Sequence, residues 1–332
     1  MKRFVDLANF SRDEVLSLLE LARRLEKQPE PRALAGKILG LVFFNPSLRT
    51  LASCQTAMLR LGGSSFVINP GQESWQLETR GGVVMDGAAA EHVREGLPVL
   101  ASYCDALGIR AFADGRDLGQ DLADAVFADM ARLIDKPLVN LESAINHPCQ
   151  ALADWKTLDD LAVPRAGRFV LSWAWHPKAL PLAVPATALH MAALRGMEVV
   201  VLRPEGFALP PPIMERARRA AALSGGAVTE TASREEALEG AEVVYVKEWA
   251  ATAAYGDAAA DAQARAGLRD WCVREDWFRR TAPSCHVMHC LPVRRNSAIT
   301  DAVLDGARSV VLREAYNRLP TQMAVLHQML RS

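Results

Sequence analysis

No apolar stretch in the 332-residue sequence approaches the ~18–20 uninterrupted residues that a membrane-spanning helix needs. The opening Met1-Lys2-Arg3-Phe4-Val5-Asp6 also lacks the apolar run of a secretory signal, so a soluble, cytoplasmic protein is expected. Neither sign of charge is in excess. With 38 Lys and Arg against 39 Asp and Glu, the formal net charge is -1, which gives no broad basic footprint for nucleic acid. An anionic ligand must therefore be drawn by a local cluster of cations. The six cysteines (54, 104, 149, 272, 285, 290) form no Cys-x-x-Cys pair and several sit in apolar runs, so reduced thiols and no zinc site are expected. A G-x-G-x-x-G after a strand is missing as well. Gly62-Gly63 and Gly81-Gly82 have the wrong spacing, which argues against a nicotinamide dehydrogenase. Aromatic residues make up only 6%, but 50% apolar and 23% charged residues suit an ordinary globular α/β protein.

A chain of this length exceeds what one core usually supports, and two domains are expected. Ser11-Arg12-Asp13-Glu14 has capping-box spacing ahead of Val15, Leu18, Leu19 and Leu25, which predicts a first helix. Lys37–Phe44 (KILGLVFF) then reads as a strand buried on both faces, followed by Asn-Pro turn chemistry and helical Ala52–Leu61. The alternation continues through strands at 65–68, 108–112 and 138–141 and helices at 91–104, 122–133 and 149–161. A second series has strands at 168–173, 198–202, 242–246, 286–289 and 309–312. Such βα alternation predicts an α/β protein of two domains, each a parallel sheet flanked by helices, joined by interdomain helices. The expected boundaries are 1–148, 149–316, and a C-terminal helix 317–332 packing back on the first domain. Residues 163–167 read as a hinge. Residues 250–267, rich in Ala, Gly and Asp, read as a mobile loop.

The strand-to-helix turn Asn45-Pro46-Ser47-Leu48-Arg49-Thr50 is the first candidate site. The first N–H groups of a helix are unpaired and its dipole is positive there, so an anion binds readily. Ser47 and Thr50 add hydroxyls and Arg49 adds a planar fork that matches phosphate oxygens two at a time. From this segment alone Ser47 is equally a plain helix cap and Arg49 a solvated charge. His147-Pro148-Cys149-Gln150 again opens a helix at a sheet's carboxyl edge, where ligands bind in open α/β folds. A histidine beside a proline is more often structural, although His147 and Gln150 could both donate to a carbonyl oxygen. A third element, His289-Cys290-Leu291-Pro292, precedes Arg294 and Arg295, a pair that ordinarily faces solvent.

Taken together, FFNPSLRT, HPCQ, HCLPVRRN and EAYNR (residues 314–318) resemble the aspartate and ornithine carbamoyltransferase superfamily, in order and over nearly the whole chain. The resemblance implies a carbamoyltransferase that needs neither metal nor cofactor and forms homotrimers with shared active sites. It further implies a carbamoyl-phosphate domain followed by an amino-acid domain. Carbamoyl phosphate would be held by Ser47, Leu48, Arg49, Thr50, Arg110, His147, Pro148, Cys149, Gln150, Cys290, Leu291 and Arg318, with Trp75 lent to the neighbouring subunit. Arg110, His147, Gln150 and Cys290 form the expected catalytic set, with Cys290 lining the site rather than attacking.

Within the superfamily, ESWQLETRGGVVMDG, LSWAWHPKALPLAVP and VVYVKEWAA are most similar to the N-acylornithine branch, and the Ser-Met-Gly stretch of ordinary ornithine enzymes is absent from 242–261. Glu142, His176, Lys247 and Arg294 fall on positions that this branch uses for the acylated amino acid. Ala90 stands where acetyl-preferring members carry Glu, and Ala298 where they carry Lys; both resemble the succinyl-preferring members, although an Ala-rich chain can also acquire alanine by drift. The expected reaction carries the carbamoyl group of carbamoyl phosphate to the δ-amine of N-succinyl-L-ornithine, with N-acetyl-L-ornithine next, in arginine biosynthesis. One departure is Leu51, where the family usually continues Arg-Thr-Arg. Leu51 motivates a non-catalytic relative as an alternative, beside a plain ornithine carbamoyltransferase.

Overall fold

Runs rich in Val, Ile and Leu assemble into two five-stranded sheets whose strands are all parallel. The computed structural model describes residues 1–331. The chain divides into two units. The first comprises Met1–Asp114, Gly119–Cys149 and the segment that starts at Arg318; the second comprises Gly115–Leu118 and Gln150–Asn317.

The strands are β1 (Arg3–Phe4), β2 (Ile38–Phe43), β3 (Ser64–Ile68), β4 (Leu77–Glu78), β5 (Glu91–His92), β6 (Ala106–Arg110) and β7 (Leu138–Glu142), then β8 (Arg168–Trp173), β9 (Glu198–Leu202), β10 (Ala227–Thr231), β11 (Val243–Lys247) and β12 (His286–Met288). The first unit's sheet has the order β1-β7-β6-β2-β3 and the second unit's β10-β9-β8-β11-β12, while β4 and β5 form a separate pair. In each sheet the order reverses once, between β2 and β6 and between β8 and β11. Ligands of open α/β folds bind outside the carboxyl ends of strands at such a reversal. Around the first sheet, Leu97, Leu107, Ile109, Phe127, Met130 and Leu138 are buried, each side chain contributing about 1.5–3 kcal/mol.

Helix starts follow local chemistry. Ser11 Oγ accepts the Glu14 N–H and Glu14 returns the bond to the Ser11 N–H, completing the expected capping box of helix Arg12–Lys27. The stretch 91–104 begins instead as β5, and His92 caps helix Val93–Ser102 by accepting the Arg94 N–H. The helix expected at 122–133 is two, Leu118–Leu122 and Ala125–Arg132. Asp124 between them is left-handed at φ 50°, and its carboxylate accepts from Ser143 Oγ, Ala144 N and Asn146 Nδ2 beyond β7. Ser309 makes one isolated bridge with Val287, and in place of a final strand the 20-residue helix Val311–Leu330 begins.

The segments expected to be a hinge and a mobile loop both lie within the second unit and make ordered contacts there. Residues 163–167 form a turn within the second unit, where the Arg195 guanidinium donates to the Val163 and Pro164 carbonyls. Residues 250–267 contain helix Ala258–Ala266 with Asp261 and Arg265 buried and ion-paired. Arg265 also donates to the carbonyls of His176 and Lys178, both at 3.1 Å, and Asp261 accepts the Ala251 N–H at 2.8 Å. At Gly256 (φ 87°) a Cβ would lie 2.4 Å from the Arg116 carbonyl oxygen, so the backbone there is tightly packed. The alanine-rich composition concealed an inward-facing i, i+4 ion pair.

Candidate active site

In the first unit the sheet reversal brings the expected anion-binding residues together. Strand β2 leads into the Asn45–Thr50 turn, and β6 beside it ends at Arg110, in register with Phe43. Asn45 Oδ1 accepts the Phe112 N–H at 2.8 Å, tying the turn to the strand end. Ser47 caps helix Leu48–Arg60, its Oγ accepting the Thr50 N–H at 3.2 Å while its own O–H remains a donor. Arg318 reaches the same turn, with Nη2 3.0 Å from Thr50 Oγ1 and both side chains buried.

Arg110 is buried, ion-paired with Glu142 at the end of β7, and its guanidinium carbon stands 4.3 Å from the Phe112 ring centroid. His147 Nε2 lies 3.5 Å from Glu142 Oε2. Burial, and then the charges of Arg318, Arg110 and Arg49, hold the His147 pKa well below the ordinary histidine range. His147 is therefore a neutral imidazole at physiological pH.

In the second unit, Trp173 and Lys247 are in register where β8 and β11 diverge, and the chain beyond them carries His176 and Glu248. Arg294 Nε donates to His176 Nε2 at 2.9 Å, so His176 carries its proton on Nδ1, 2.9 Å from the Lys178 carbonyl. Lys247 Nζ donates to Glu248 Oε2 at 2.8 Å, and His289 Nε2 stands 3.4 Å from Glu248 Oε1. Although burial opposes it, the Lys247 ammonium and His289 hold Glu248 below the usual carboxylate range. The His289 N–H donates to Glu314, and His289 Nδ1 accepts the Leu291 N–H at 2.9 Å, where Leu291 is left-handed at φ 56°. A branched residue in that conformation marks a locally constrained segment. Cys290 is half-buried beside it.

Several expected residues stand differently. Glu142 is in the first unit, with Arg110 and His147, whereas His176, Lys247 and Arg294, with which the resemblance grouped it, belong to the second. Cys149 is buried and its Sγ donates to the Asn140 carbonyl at 3.7 Å; burial pushes the thiol up to about 11, so only backbone near it can serve a ligand. Pro148 opens helix Pro148–Asp160 and offers no N–H. Leu48 is 80% exposed and adds only its main chain to the turn. Trp75 is 62% exposed, its indole donating to Glu91 Oε2 at 2.7 Å. Ala90 is exposed, its N–H donating to the Gln76 carbonyl at 3.2 Å, whereas Ala298 is buried with its N–H on the Arg294 carbonyl at 2.9 Å. Leu51 is half-buried in the first turn of its helix. Gln150 carries a correction: its amide nitrogen donates to Asp154 Oδ1 (2.7 Å) and Glu314 Oε1 (3.1 Å) and so is not turned toward a substrate carbonyl. Sequence reading missed Asp154, Glu248 and Glu314. Their signals were Asp four residues after Gln150, Glu directly after Lys247, and the first residue of EAYNR.

Two family models match: "Aspartate/ornithine carbamoyltransferase, carbamoyl-P binding domain" over residues 2–160, and "Aspartate/ornithine carbamoyltransferase, Asp/Orn binding domain" over residues 183–329. The chain belongs to the aspartate/ornithine carbamoyltransferase family. It is a carbamoyltransferase, with the two-sheet α/β fold of that family. The N-acetylornithine carbamoyltransferase of Xanthomonas campestris pv. campestris is 36% identical over 330 residues, 98% of this chain and 97% of that one. The N-succinylornithine carbamoyltransferase of Bacteroides thetaiotaomicron is 35% identical over 297 residues, 89% of this chain and 88% of that one. A glutamate-to-alanine mutant of N-acetyl-L-ornithine transcarbamylase, complexed with carbamyl phosphate and N-succinyl-L-norvaline, superposes with a TM-score of 0.94 at 36% identity, covering 99% of this chain and 100% of that one.

The neutral state of His147 in this carbamoyltransferase makes its stability depend on pH. A histidine in the unfolded chain titrates near ~6.5, whereas folded His147 does so well below. Above ~6.5 neither form binds the proton; as pH falls, the unfolded chain takes it first, so stability is lost until the folded value is reached. One such group removes up to about 1.4 kcal/mol per pH unit. Urea denaturation between pH 7.5 and 5.5 should show this fall, with His176 and His286 shifted in the same direction. His147→Gln should flatten the slope by about one proton; an unchanged slope would mean that His147 titrates normally.

Proposed function

We propose that this carbamoyltransferase moves the carbamoyl group of carbamoyl phosphate to the δ-amine of an N-acylated L-ornithine, giving N-acylcitrulline and phosphate. N-Succinyl-L-ornithine is the preferred acceptor and N-acetyl-L-ornithine the next. The observation that carries this reading is Arg318 bonded to Thr50 at the Ser47–Thr50 helix start, in the unit where Arg110 and neutral His147 both meet Glu142. That is a phosphate site with hydrogen-bond donors next to it. The first unit is accordingly the carbamoyl-phosphate domain and the second the acylornithine domain, with Lys247, His176 and Arg294 suited to a ligand bearing carboxylates.

As the amine attacks the carbonyl carbon, negative charge grows on the carbonyl oxygen, and donors fixed in advance stabilise it most. Thr50, Arg110 and His147 fill this role, His147 as an uncharged N–H donor. The δ-amine reacts only in its neutral form, which a cationic, dry site favours. Departing phosphate takes the proton from the adduct, so no protein base is required, and Cys290 lines the site. Leu51, in place of the family's usual Arg, leaves a less cationic helix start than in its relatives.

The succinyl preference is supported by Ala90, which stands where the resemblance places a glutamate in acetyl-preferring members. The mutant relative captured with N-succinyl-L-norvaline has lost one glutamate. Removing a carboxylate removes repulsion against a succinate tail. Ala298 on the Arg294 carbonyl likewise leaves no side-chain charge there. We place the enzyme in the cytoplasm, in arginine biosynthesis, as a homotrimer with Trp75 reaching the neighbouring site; among the described residues no helix is long and apolar enough to cross a membrane. The deciding experiment measures citrulline-type product with ornithine, N-acetyl-L-ornithine and N-succinyl-L-ornithine. The succinyl compound should rank first. A preference for free ornithine would make this a plain ornithine carbamoyltransferase, and no turnover with any would make it a non-catalytic relative.

A further inference from the structure

The alanine-rich stretch that follows β11 carries an ion pair with no part in the proposed chemistry. Asp261 and Arg265 face inward from helix Ala258–Ala266, with exposures of 3% and 2%. Arg265 Nε donates to Asp261 Oδ2 at 2.7 Å, and Nη2 closes the same pair. Such residues are almost never buried unless paired, and here both partners also hold main chain. Arg265 Nη1 donates to the carbonyls of His176 and Lys178, both at 3.1 Å, and the Arg265 carbonyl accepts the Trp175 indole N–H at 3.0 Å. Asp261 Oδ1 accepts the Ala251 N–H at 2.8 Å, and the Ala250 N–H donates to the Leu180 carbonyl at 3.1 Å. The pair therefore ties together the two segments that leave β8 and β11, the strands between which the order of the second sheet reverses.

What the pair holds decides how His176 presents itself. His176 Nδ1 lies 2.9 Å from the Lys178 carbonyl oxygen and 3.1 Å from the Lys178 amide nitrogen, so the loop alone suits either tautomer. A carbonyl fixed by Arg265 selects the tautomer with the proton on Nδ1, and Nε2 is then the acceptor that takes the Arg294 Nε–H at 2.9 Å. Burial is the chief cause that lowers the His176 pKa, so the ring is neutral at neutral pH and Nε2 keeps its lone pair. With Nε engaged, the exposed Arg294 has both Nη groups for a carboxylate. We propose that Arg265, clamped by Asp261, is a positioning residue: by fixing the Lys178 carbonyl it sets the tautomer of His176 and so the aim of Arg294 at a carboxylate of the acceptor. The inference rests on the reading of an N-acylated ornithine as acceptor and deepens it, by assigning acceptor recognition to a residue that touches no substrate.

A double-mutant cycle tests this, because residues that act through one chain of contacts are non-additive whereas independent ones add. Arg265→Met is combined with Asp261→Asn so that neither charge is left buried alone. In steady-state kinetics of the full chain with N-succinyl-L-ornithine and N-acetyl-L-ornithine, this pair of changes should raise KM about tenfold with kcat within about threefold, the split expected when uniform binding is lost. Carbamoyl phosphate affinity, measured by calorimetry, should stay within about twofold, and in a His176→Asn background the same changes should raise KM further by less than about twofold. The proposal is overturned if KM is unchanged, or if the changes cost the same factor with and without His176, the sign of a merely structural role. Should the paired variant not fold, Arg265→Lys is taken through the same cycle. It keeps the charge, but its single nitrogen cannot reach Asp261 and both carbonyls in the geometry of a guanidinium, and the same two outcomes decide. A wild type that turns over free ornithine but neither acylated compound overturns the acceptor reading itself, a failure seen before any variant is made.

Discussion

Arg110→Met is expected to lower kcat by about 10²–10³-fold, the loss that follows removal of one donor to a developing oxyanion, equivalent to about 2.7–4 kcal/mol. Methionine keeps the apolar stem of the side chain and removes its charge and its N–H groups. Two effects must be separated, because Arg110 is also the ion-pair partner of Glu142. Both side chains are buried, and breaking such a pair by deleting one member costs about 3–5 kcal/mol of stability, since the other charge is left without compensation. Adding Glu142→Gln to Arg110→Met removes the stranded carboxylate. The double variant should regain much of the stability in urea denaturation while kcat stays low. Recovery of kcat together with stability would show that Arg110 acts only by holding the strand ends in place.

What sequence could tell of this molecule depended on whether a residue's role is visible from its neighbours. Strands buried on both faces, such as 37–44 and 168–173, announce themselves as apolar runs and were placed to within a residue or so. The edge strand Ala227–Thr231 alternates partly exposed residues and polar side chains, so it carries no such signal and passed unread. Strand Ser309–Leu312 was expected because three apolar residues in a row fit either state; the period of Glu314, Asn317 and Arg318 belonged to the helix that begins at Val311. Ser47, Arg49, Thr50 and His147 were legible because turn chemistry puts them at helix starts, whereas Arg110, at a strand end, and Arg318, inside the last helix, came only with the family resemblance. The braces of the site were not legible. The orientation of Gln150 is decided by Glu314, 164 residues away, and no local pattern contains that fact. For the same reason EAYNR could be matched as a motif without its physics: Glu314 meets Gln150 and the His289 N–H, Asn317 donates to Thr157 Oγ1 at 2.8 Å, and Arg318 donates to Thr50.

Ala90→Glu is expected to reverse the acyl preference, lowering kcat/KM for N-succinyl-L-ornithine by about ten- to a hundredfold while N-acetyl-L-ornithine changes little or improves. The physical cause is a like charge facing the free carboxylate of the succinyl tail. Two unit charges ~4 Å apart repel by about 1 kcal/mol in water and about 4 kcal/mol near a protein surface, which brackets the predicted range. Ala90 is exposed, and it directly precedes β5, whose Glu91 and His92 pair with Leu77 and Glu78. The new side chain therefore rests on a fixed strand start and can be introduced without disturbing a core. Exposure also means screening, so the discrimination should weaken as ionic strength rises from about 0.01 to 1 M, where the Debye length shortens from about 30 to 3 Å. A steric effect would not respond to salt. Ala90→Gln, nearly the same size without charge, should therefore lose far less succinyl activity than Ala90→Glu. Equal losses in the two variants would assign the selectivity to volume, and no change in either would remove Ala90 from the acyl site.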